Sequence, residues 1–474
     1  MAVTKVSLVY DSLLQVEVTL MKKHQLQTLS PIDGRYADKC TAIRDLFSEE
    51  SLIRYRVITE IRWLQFLAQE KEISHISSIP ETVNHAMEKI IDDFSLDDAV
   101  EVKKIESKIN HDVKAVEYFL QNKLLKIPGG SDYVSSIHFA CTSEDINNIS
   151  YAMMIRDTVA IIRSSLEEIG LKLRTNSHQW SNAAMLSHTH GQAATPTTMG
   201  KEFANFLDRL NQQMVCLDEM KFKAKINGAV GNFNAHRIAY PNADWPQISK
   251  TFIQNMGLEQ SAYTTQIEPH DWIAELLHCF IRINNILLDF SRDIWLYISF
   301  GYFKQVLNKN EVGSSTMPHK INPIDFENAE GNLGLANALF AHLSSKLSIS
   351  RLQRDLSDST ALRNIGSGFG YAVIAYASLK KGLEKIQLNE EIILKELESH
   401  WEVIAEAIQT VLRREQIDDA YEKLKDLTQG QDLEKQDFVA FIQSIQVEDT
   451  VKQELLNLTP ENYLGFAAVL AKKI

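Results

Sequence analysis

The sequence predicts an all-α fold organised around a central bundle of long helices. Apolar residues recur at alternating steps of three and four along several stretches, as they do on helices that pack side by side. Strand signals are sparse by comparison. Four such stretches in one region predict nearly antiparallel helices whose apolar faces form the core. Their repeating residues are Ile162, Leu166, Ile169 and Leu173; Phe203, Phe206, Leu210, Met214 and Leu217; Leu276, Phe280, Ile283, Leu287, Phe290, Ile294 and Tyr297; and Ala336, Phe340, Leu343 and Leu347.

Glycine, proline and charge divide the chain around this bundle. The run Ile-Pro-Gly-Gly-Ser at 127–131 interrupts the helical pattern after an all-α N-terminal segment. A smaller helical tail rich in Glu and Lys begins near Leu388. We therefore expect an N-terminal helical domain at 21–130, a central bundle domain at 131–387 and a C-terminal helical domain at 388–474.

Two glycine-containing stretches fall outside the regular pattern. Residues 226–239 are expected to be loop or short extended structure. The run Gly-Ser-Gly-Phe-Gly at 366–370 is similar in composition to a nucleotide-binding fingerprint, but no strand precedes it and its spacing is wrong. We expect this run to permit a close helix–helix contact instead.

Composition limits the classes of function. The chain has 474 residues and a formal net charge of −13. Nucleic acids and anionic membrane surfaces are bound through basic faces, so this acidic balance argues against both. Four scattered cysteines have no paired spacing, which suggests neither a zinc site nor a disulfide framework. A reducing cytoplasm is the expected compartment, and residues 1–20 carry no export signal or bilayer-spanning run.

The most informative segment is residues 313–323, which read Gly-Ser-Ser-Thr-Met-Pro-His-Lys-Ile-Asn-Pro. It combines hydroxyls, a rigid Met-Pro step, the cation Lys320 and the amide Asn322, which suits a loop that holds a carboxylate. Taken alone, it could equally be an ordinary Gly/Ser/Pro connection between helices. The run matches the signature loop of the fumarase/aspartase superfamily, and its Met-Pro-His-Lys form resembles the adenylosuccinate lyase branch of bacterial long type.

The resemblance covers essentially the whole chain from Met21 to Ile474. It implies a three-domain fumarase/aspartase-like fold whose central long-helix bundle tetramerises. Because the text from Met21 to Tyr36 looks like the natural beginning of this family, we expect residues 1–20 to be an extension, and a mis-set start codon is our preferred explanation.

Elimination of an amine from a succinyl group, the reaction that the resemblance implies, requires a base, an acid and groups that stabilise the developing charge. Thr-His-Gly-Gln at 189–192 matches the second signature of the family, which maps the general acid to His190 and leaves His188 as a neighbour. Many relatives have Pro where this chain has Ala193. The base maps to Ser314, whose hydroxyl can act only if nearby donors stabilise its alkoxide. An ordinary surface histidine and a structural serine are the alternatives.

The resemblance also assigns the groups that hold the succinyl end. Glu327 is expected to pair with the acid histidine and fix its tautomer, although a surface glutamate early in a helix is the alternative. Lys320 and Asn322 are expected to grip the succinyl carboxylates, and Asn328 joins them.

Further segments match the blocks that contact the rest of the substrate. They comprise Asn110, His111 and Asp112, the pair Thr142 and Ser143, and the amide of Gln266, with His138 as a weaker candidate. Without the resemblance, each of the first two blocks reads simply as a helix-cap pattern.

A phosphate-binding set discriminates within the superfamily. Arg354, Ser359 and Arg363 are spaced so that a loop arginine, a hydroxyl near a helix start and a second arginine could converge on one anion. Scattered surface arginines are the alternative. The set matches the place where adenylosuccinate lyases bind the 5′-phosphate, together with Arg35 and Tyr36.

The resemblance thus implies a lyase of purine nucleotide biosynthesis that needs no cofactor and no metal. Its substrates would be adenylosuccinate, cleaved to AMP and fumarate, and the succinylated aminoimidazole carboxamide ribotide SAICAR, cleaved to AICAR and fumarate. A homotetramer with active sites shared among subunits is also implied. Two rivals remain: another fumarate-releasing lyase such as argininosuccinate lyase, and a non-catalytic helical scaffold of the same fold.

Overall fold

The computed structural model describes residues 25–306, 317, 320–419, 422, 424–425 and 434–474. Helices dominate these residues, which confirms the all-α prediction. The helices are α1 (Thr41–Phe47), α2 (Glu49–Leu67), α3 (Glu81–Asp92), α4 (Leu96–Ile109), α5 (Asp112–Leu125), α6 (Ser143–Gln179), α7 (Met199–Asp218), α8 (Asn234–Ala239), α9 (Trp245–Asn255), α10 (Asp271–Ser299), α11 (Ile324–Leu347), α12 (Ser357–Leu362), α13 (Ile365–Lys385), α14 (Glu390–Glu398), α15 (Ala405–Arg414), α16 (Lys435–Ser444), α17 (Asp449–Leu456) and α18 (Ala467–Lys473).

Short strands form three two-stranded sheets in the described residues. The strands are β1 (Ala184–Thr189), β2 (Gln192–Thr198), β3 (Lys223–Ala224), β4 (Glu259–Gln260), β5 (Phe303–Gln305) and β6 (Ile386–Leu388). Strands β1 and β2 are antiparallel, as are β5 and β6, whereas β3 and β4 are parallel. Most of these strands are only two or three residues long, so they connect helices and do not form a layer of their own.

The chain divides into two compact units. Unit 1 takes its described residues from Met1–Ser165, Val215–Asn284 and Asn332–Ala375, and unit 2 takes its own from Leu166–Met214, Asn285–Gly331 and Tyr376–Ile474. Each unit contains segments of the five longest helices, α6, α7, α10, α11 and α13.

The predicted apolar stripes form the core of these long helices. Every residue of the four stripes is buried except Tyr297, which is partly exposed. In unit 1 the rings of Phe280, Phe340 and Phe369 bring α10, α11 and α13 together, with centroids 5.2 to 5.9 Å apart. In unit 2 the ring of Phe290 lies 5.5 Å from that of Phe203, which joins α10 to α7. The three-and-four spacing therefore identified the buried faces correctly.

The glycine run at the start of α13 permits close helix packing, as predicted. A Cβ on Gly366 would lie 2.4 Å from the Cβ of Phe47, and one on Gly368 would lie 2.6 Å from the Cε1 of Phe340. Both distances are far below van der Waals contact. Glycine is needed here because its missing side chain lets the aromatic rings approach the helix.

The expectation for residues 226–239 was wrong for the last six, which form helix α8. The preceding residue, Phe233, has a left-handed backbone with a φ of 57°, and its carbonyl accepts a hydrogen bond from the backbone N–H of Arg237 at 2.8 Å. A second bond joins the Tyr240 N–H to the His236 carbonyl at 2.9 Å. Glycine content pointed to an irregular loop, but these local hydrogen bonds close a short helix.

Unit 2 has a separate apolar core in its C-terminal part. Leu186 from β1 packs with Leu397, Ile408, Phe438 and Leu455, which come from helices α14 to α17. The hairpin that carries the predicted acid histidine thus packs against this buried apolar core. Within the described residues, no helix combines the length and apolar character needed to span a bilayer.

Candidate active site

The predicted acid histidine lies at the tip of a tight hairpin in unit 2. His190 and Gly191 connect β1 to β2, and both have positive φ, 55° and 72°, the arrangement of a two-residue type I′ turn. Histidine is one of the few non-glycine residues that tolerates this backbone. The His190 side chain is exposed. The turn thus forms with Ala193 in place, and it presents the imidazole outward.

His188, two residues earlier, has a different environment. Its Nε2 lies 3.1 Å from the hydroxyl of Tyr302, which in turn donates a hydrogen bond to Glu396. Burial raises the pKa of Tyr302, and the Glu396 carboxylate adds to that effect. His188 is therefore tied to neighbouring side chains, whereas the ring of His190 is the more available of the two for a substrate.

The residues predicted to hold the succinyl end lie at or just before the start of α11. Glu327 accepts a hydrogen bond from the indole Nε1 of Trp295 at 3.1 Å. Asn328 accepts one from the hydroxyl of Ser378 at 2.7 Å. Lys320 and Asn322 lie in the irregular segment that leads into the helix. Ser314, the predicted base, lies outside the described residues, and the pairing of Glu327 with the acid histidine remains a prediction.

His111 in unit 1 is the N-cap of helix α5. Its Nδ1 accepts a hydrogen bond from the backbone N–H of Lys114 at 3.1 Å, and the preceding Asn110 ends α4 in a left-handed conformation. In a neutral ring the proton must then lie on Nε2. Because the side chain is half exposed, at 51%, this Nε2–H is directed away from the helix backbone as an available donor. The cap pattern and the predicted substrate contact are thus compatible, since they use opposite nitrogens.

Asp112 joins two arginines that are far apart in the sequence. Its Oδ2 accepts a hydrogen bond from Arg56 at 2.7 Å and from Arg363 at 3.1 Å. Burial alone would raise the pKa of Asp112, but the two guanidinium groups and the Val113 backbone N–H together outweigh it and lower that pKa. Arg363 also pairs with Glu49 at 2.8 Å. One arginine of the predicted phosphate set is therefore placed beside the His111 block.

The N-terminal segment with Arg35 and Tyr36 belongs to the same unit. The Arg35 guanidinium lies 5.8 Å from the centroid of the Tyr36 ring. A cavity of about 330 Å³ is lined by Ser30 and Asp33 from this segment and by Arg363. Within the described residues, the N-terminal segment therefore lies near Arg363, one member of the predicted phosphate set.

Arg354 has a different set of partners from Arg363. Its Nη1 donates to the side-chain oxygen of Gln266 at 3.2 Å and lies 3.2 Å from Glu144 Oε2. Burial raises the pKa of Glu144, and the Arg354 charge opposes that shift only in part. The nitrogen of the Gln266 amide donates to the carbonyl of Ala229 at 3.1 Å. Two predicted substrate residues, Gln266 and Arg354, are thus in direct contact.

The Thr142 and Ser143 pair forms the start of the 37-residue helix α6. The Thr142 backbone N–H donates to Asp145 Oδ2 at 2.8 Å, which is the helix-cap alternative that the sequence pattern indicated. Capping uses the Thr142 backbone, so its hydroxyl remains compatible with a substrate contact. Ser359, the hydroxyl of the phosphate set, lies in α12, where its backbone N–H donates to Asp358 at 2.7 Å.

His138, the weaker candidate, is held between two glutamates. Its Nδ1 lies 2.6 Å from Glu60, and its Nε2 lies 3.7 Å from Glu117. Burial alone would lower the pKa of His138, but the Glu60 hydrogen bond and the neighbouring negative charge raise it instead. This environment is that of a structural ion pair in the interior of unit 1.

A buried charged cluster in unit 1 was not found from the sequence. Side-chain atoms of Glu144, His270 and Asp358 approach within 4.8 Å of one another. Such a group could in principle chelate a metal ion, but the Arg354 cation already lies against Glu144. Because 126 and 88 residues separate the three along the chain, no local motif could have indicated it.

Solved structures show which fold the chain has. A fumarate lyase from Mesorhizobium sp. BNC1 superposes with a TM-score of 0.74 at 17% identity, over 91% of this chain and 96% of that one. The 3-carboxy-cis,cis-muconate lactonizing enzyme of Pseudomonas putida superposes with a TM-score of 0.73 at 18% identity and the same coverage. Residues 34–337 also match the family model described as Lyase. The fold is that of the fumarase/aspartase-like lyases.

Closer relatives give the family. Residues 350–464 match the family model of the adenylosuccinate lyase C-terminal region. The adenylosuccinate lyase of Legionella pneumophila strain Philadelphia 1 is 51% identical over 94% of this chain and 98% of its own length. Those of Vibrio cholerae and Escherichia coli K12 are 50% and 48% identical over 96% of this chain and their full lengths. The chain belongs to the adenylosuccinate lyase family.

Proposed function

We propose that this chain is a lyase of purine nucleotide biosynthesis that releases fumarate from adenylosuccinate to give AMP, and from SAICAR to give AICAR. The observation that carries the proposal is about 50% identity to adenylosuccinate lyases over nearly the whole chain. The match at 350–464 includes Arg354, Ser359 and Arg363, which an argininosuccinate lyase would not need. All the side chains expected for chemistry are present in the sequence, which disfavours a non-catalytic scaffold.

The proposed reaction is a β-elimination by general acid and base. Ser314 removes the proton next to a succinyl carboxylate, and the resulting carbanionic charge is stabilised by donors and by the Lys320 cation. His190 then gives its proton to the departing nitrogen, which a group that titrates near neutrality can do. Glu327 is proposed to orient the acid histidine, and Asn322 and Asn328 to fix the succinyl group.

The nucleotide end is proposed to bind to residues of unit 1. Two guanidinium groups, of Arg354 and Arg363, suit the tetrahedral oxygens of a 5′-phosphate because arginine donates in a fixed fork. Both now contact carboxylates, Glu144 and Asp112. These carboxylates hold the arginines in place before the substrate binds, so less side-chain entropy is lost on binding.

The proposed assembly is a cytoplasmic homotetramer in which several subunits contribute to each active site. It is supported by the exposure of His190 and His111 in the single chain. A general acid is most effective where the reacting groups are shielded from bulk water. Neighbouring subunits would provide that shielding.

Fumarate release from adenylosuccinate by the purified protein tests the function, with SAICAR assayed in parallel and argininosuccinate as the control substrate. Release from argininosuccinate alone, or from none of the three, refutes the proposal. Ser314→Ala tests the base: we expect turnover to fall by about 10²- to 10⁴-fold while adenylosuccinate still binds. Ser315→Ala is the matched control and should retain most of its activity. Near-normal turnover by Ser314→Ala contradicts the assigned role.

A further inference from the structure

His270 is buried in unit 1 among charged groups that come from three segments of the chain. Its side chain is 3% exposed, and its backbone has a left-handed φ of 63° just before helix α10. Its Nδ1 lies 3.4 Å from Glu268 Oε2, and its Nε2 lies 3.9 Å from Asp358 Oδ2. The proposed chemistry gives this histidine no role.

The carboxylates around His270 favour a cation at this position. Glu268, Asp358 and Glu144 are all nearly fully buried, and Arg354 is the other cation of this cluster. A neutral imidazole would leave three buried carboxylates with one guanidinium, which is costly in a medium of low polarity. Although burial alone would lower the pKa of His270, Asp358 and Glu268 raise it to about 9.

Glu268 and Asp358 face the two ring nitrogens at ion-pair distances of 3.4 and 3.9 Å, and they belong to two different segments. Glu268 accepts hydrogen bonds from the Ser261 hydroxyl at 2.7 Å, the Trp272 indole at 3.0 Å and the His270 backbone N–H at 2.7 Å. These bonds fix it as a rigid anion on the segment before α10. Asp358, by contrast, belongs to α12, so the imidazole connects α12 to this rigid segment.

Asp358 also connects the imidazole to the predicted phosphate set. Its Oδ1 accepts the backbone N–H of Ser359 at 2.7 Å, and Arg354 lies four residues before it. Arg354 itself contacts Gln266 and Glu144. A displacement of α12 would therefore move the Ser359 hydroxyl directly and would act on Arg354 through the two residues, 355 and 356, that join it to the helix.

We propose that His270 is a positioning residue: as an imidazolium between Glu268 and Asp358, it holds Arg354 and Ser359 in the arrangement that receives the phosphate of the nucleotide. This inference rests on the proposed function, since it concerns the nucleotide end of the same site. The imidazolium makes no contact with substrate. It acts by fixing the position of α12.

A bound divalent cation is the competing explanation for a histidine with two carboxylates. The Arg354 guanidinium 3.2 Å from Glu144 disfavours it, because a dication there would lie beside a fixed positive charge. A proton on His270 supplies one positive charge and leaves both nitrogens as donors toward carboxylates. The protonated form thus fits the surroundings better than a metal does.

The test compares AMP with adenosine, which lacks only the phosphate, as inhibitors of adenylosuccinate cleavage. In His270→Gln, which removes the charge at similar size, we expect the inhibition constant of AMP to rise about tenfold and that of adenosine to change less than twofold. His270→Lys, which restores a cation, should recover part of the AMP affinity. Asp358→Asn should reproduce the AMP-selective loss, and combining it with His270→Gln should add little further loss.

His236→Gln is the matched control. His236 is also fully buried in unit 1, but burial lowers its pKa to about 4, so it is neutral. This variant should change both inhibition constants by the same factor. The proposal is overturned if the inhibition constant of AMP is unchanged in His270→Gln, or if AMP and adenosine lose affinity equally. It is also overturned if EDTA abolishes the activity and a divalent ion restores it. Wild-type protein that does not cleave adenylosuccinate refutes the proposed function instead, so the two failures are distinguishable.

Discussion

Lys225→Met tests how much a buried ion pair contributes to the loop before helix α8. Lys225 and Asp145 have no exposed side-chain surface, and Lys225 Nζ lies 2.8 Å from Asp145 Oδ1. Nζ also donates to the carbonyl of Gly228 at 3.0 Å. Asp145 accepts three further hydrogen bonds, from the backbone N–H groups of Thr142, Asn227 and Gly228. The pair thus joins the start of α6 to the loop at 227–228.

The expected magnitude follows from burial. Methionine fills a similar volume but leaves the Asp145 charge buried without its cation, which costs about 3–5 kcal/mol. Unfolding entropy of roughly 2.1 cal/mol/K per residue amounts to about 1 kcal/mol/K for 474 residues, so Tm should fall by about 3–5 °C. Lys172→Met is the matched control. Its partner Glu384 lies at a similar distance, 2.7 Å, but the two side chains are 32% and 62% exposed, so about 0–1 kcal/mol is expected.

The assay is thermal unfolding followed by circular dichroism, at one scan rate and one protein concentration for the wild type and every variant. Asp145→Asn, which leaves the buried ammonium without its carboxylate, should also lower Tm by several degrees. Equal Tm shifts for Lys225→Met and Lys172→Met, or a shift below about 1 °C for both, would refute the reasoning, because burial would then not determine the cost of breaking the pair.

Two further predictions concern protonation and assembly. The pKa of His270 is raised from 6.5 to about 9, so the stability that its protonated form contributes is complete below about pH 6.5 and is lost as the pH rises through about 9. Tm should therefore fall more steeply with rising pH in the wild type than in His270→Gln. Parallel slopes in the two proteins would contradict this prediction. Mixing the inactive His190→Ala and Ser314→Ala proteins under conditions of subunit exchange should restore roughly one quarter of the sites if the two residues come from different subunits. Fumarate release measures the recovery. No recovery despite verified exchange would argue against shared sites.

Periodicity predicted the fold because burial of a helix face depends on local spacing. Leu276, Phe280 and Ile283 are each fully buried in α10, as the three-and-four pattern requires. Gly368 could be assigned to close helix packing because no strand precedes it, as a nucleotide-binding fingerprint would require. Helix α8 was missed because its six residues are too few to establish a period, and local hydrogen bonds around Phe233 determine it instead.

The candidate site was predictable only where its residues lie in contiguous motifs. Resemblance could assign Gln266 and Arg354, but their contact at 3.2 Å joins residues 88 positions apart. The neighbours of His270 are likewise set by the packing of α6, α10 and α12. A histidine between a proline and an aspartate carries no local signal of a buried imidazolium. Its charge follows from which carboxylates tertiary packing places around it.

The exposure of the candidate acid bears directly on how the site is assembled. The hairpin bearing His190 rests on buried residues such as Leu186, so its outward direction is built into the fold and is not a consequence of a loose loop. A type I′ turn closes in two residues, so the position of the His190 backbone is fixed by the flanking strands. His111 is likewise fixed by its bond to the Lys114 N–H and yet half exposed. Two histidines presented toward solvent are compatible with the proposed site shared between subunits, and recovery of activity by mixed variants is the sharpest test of that proposal.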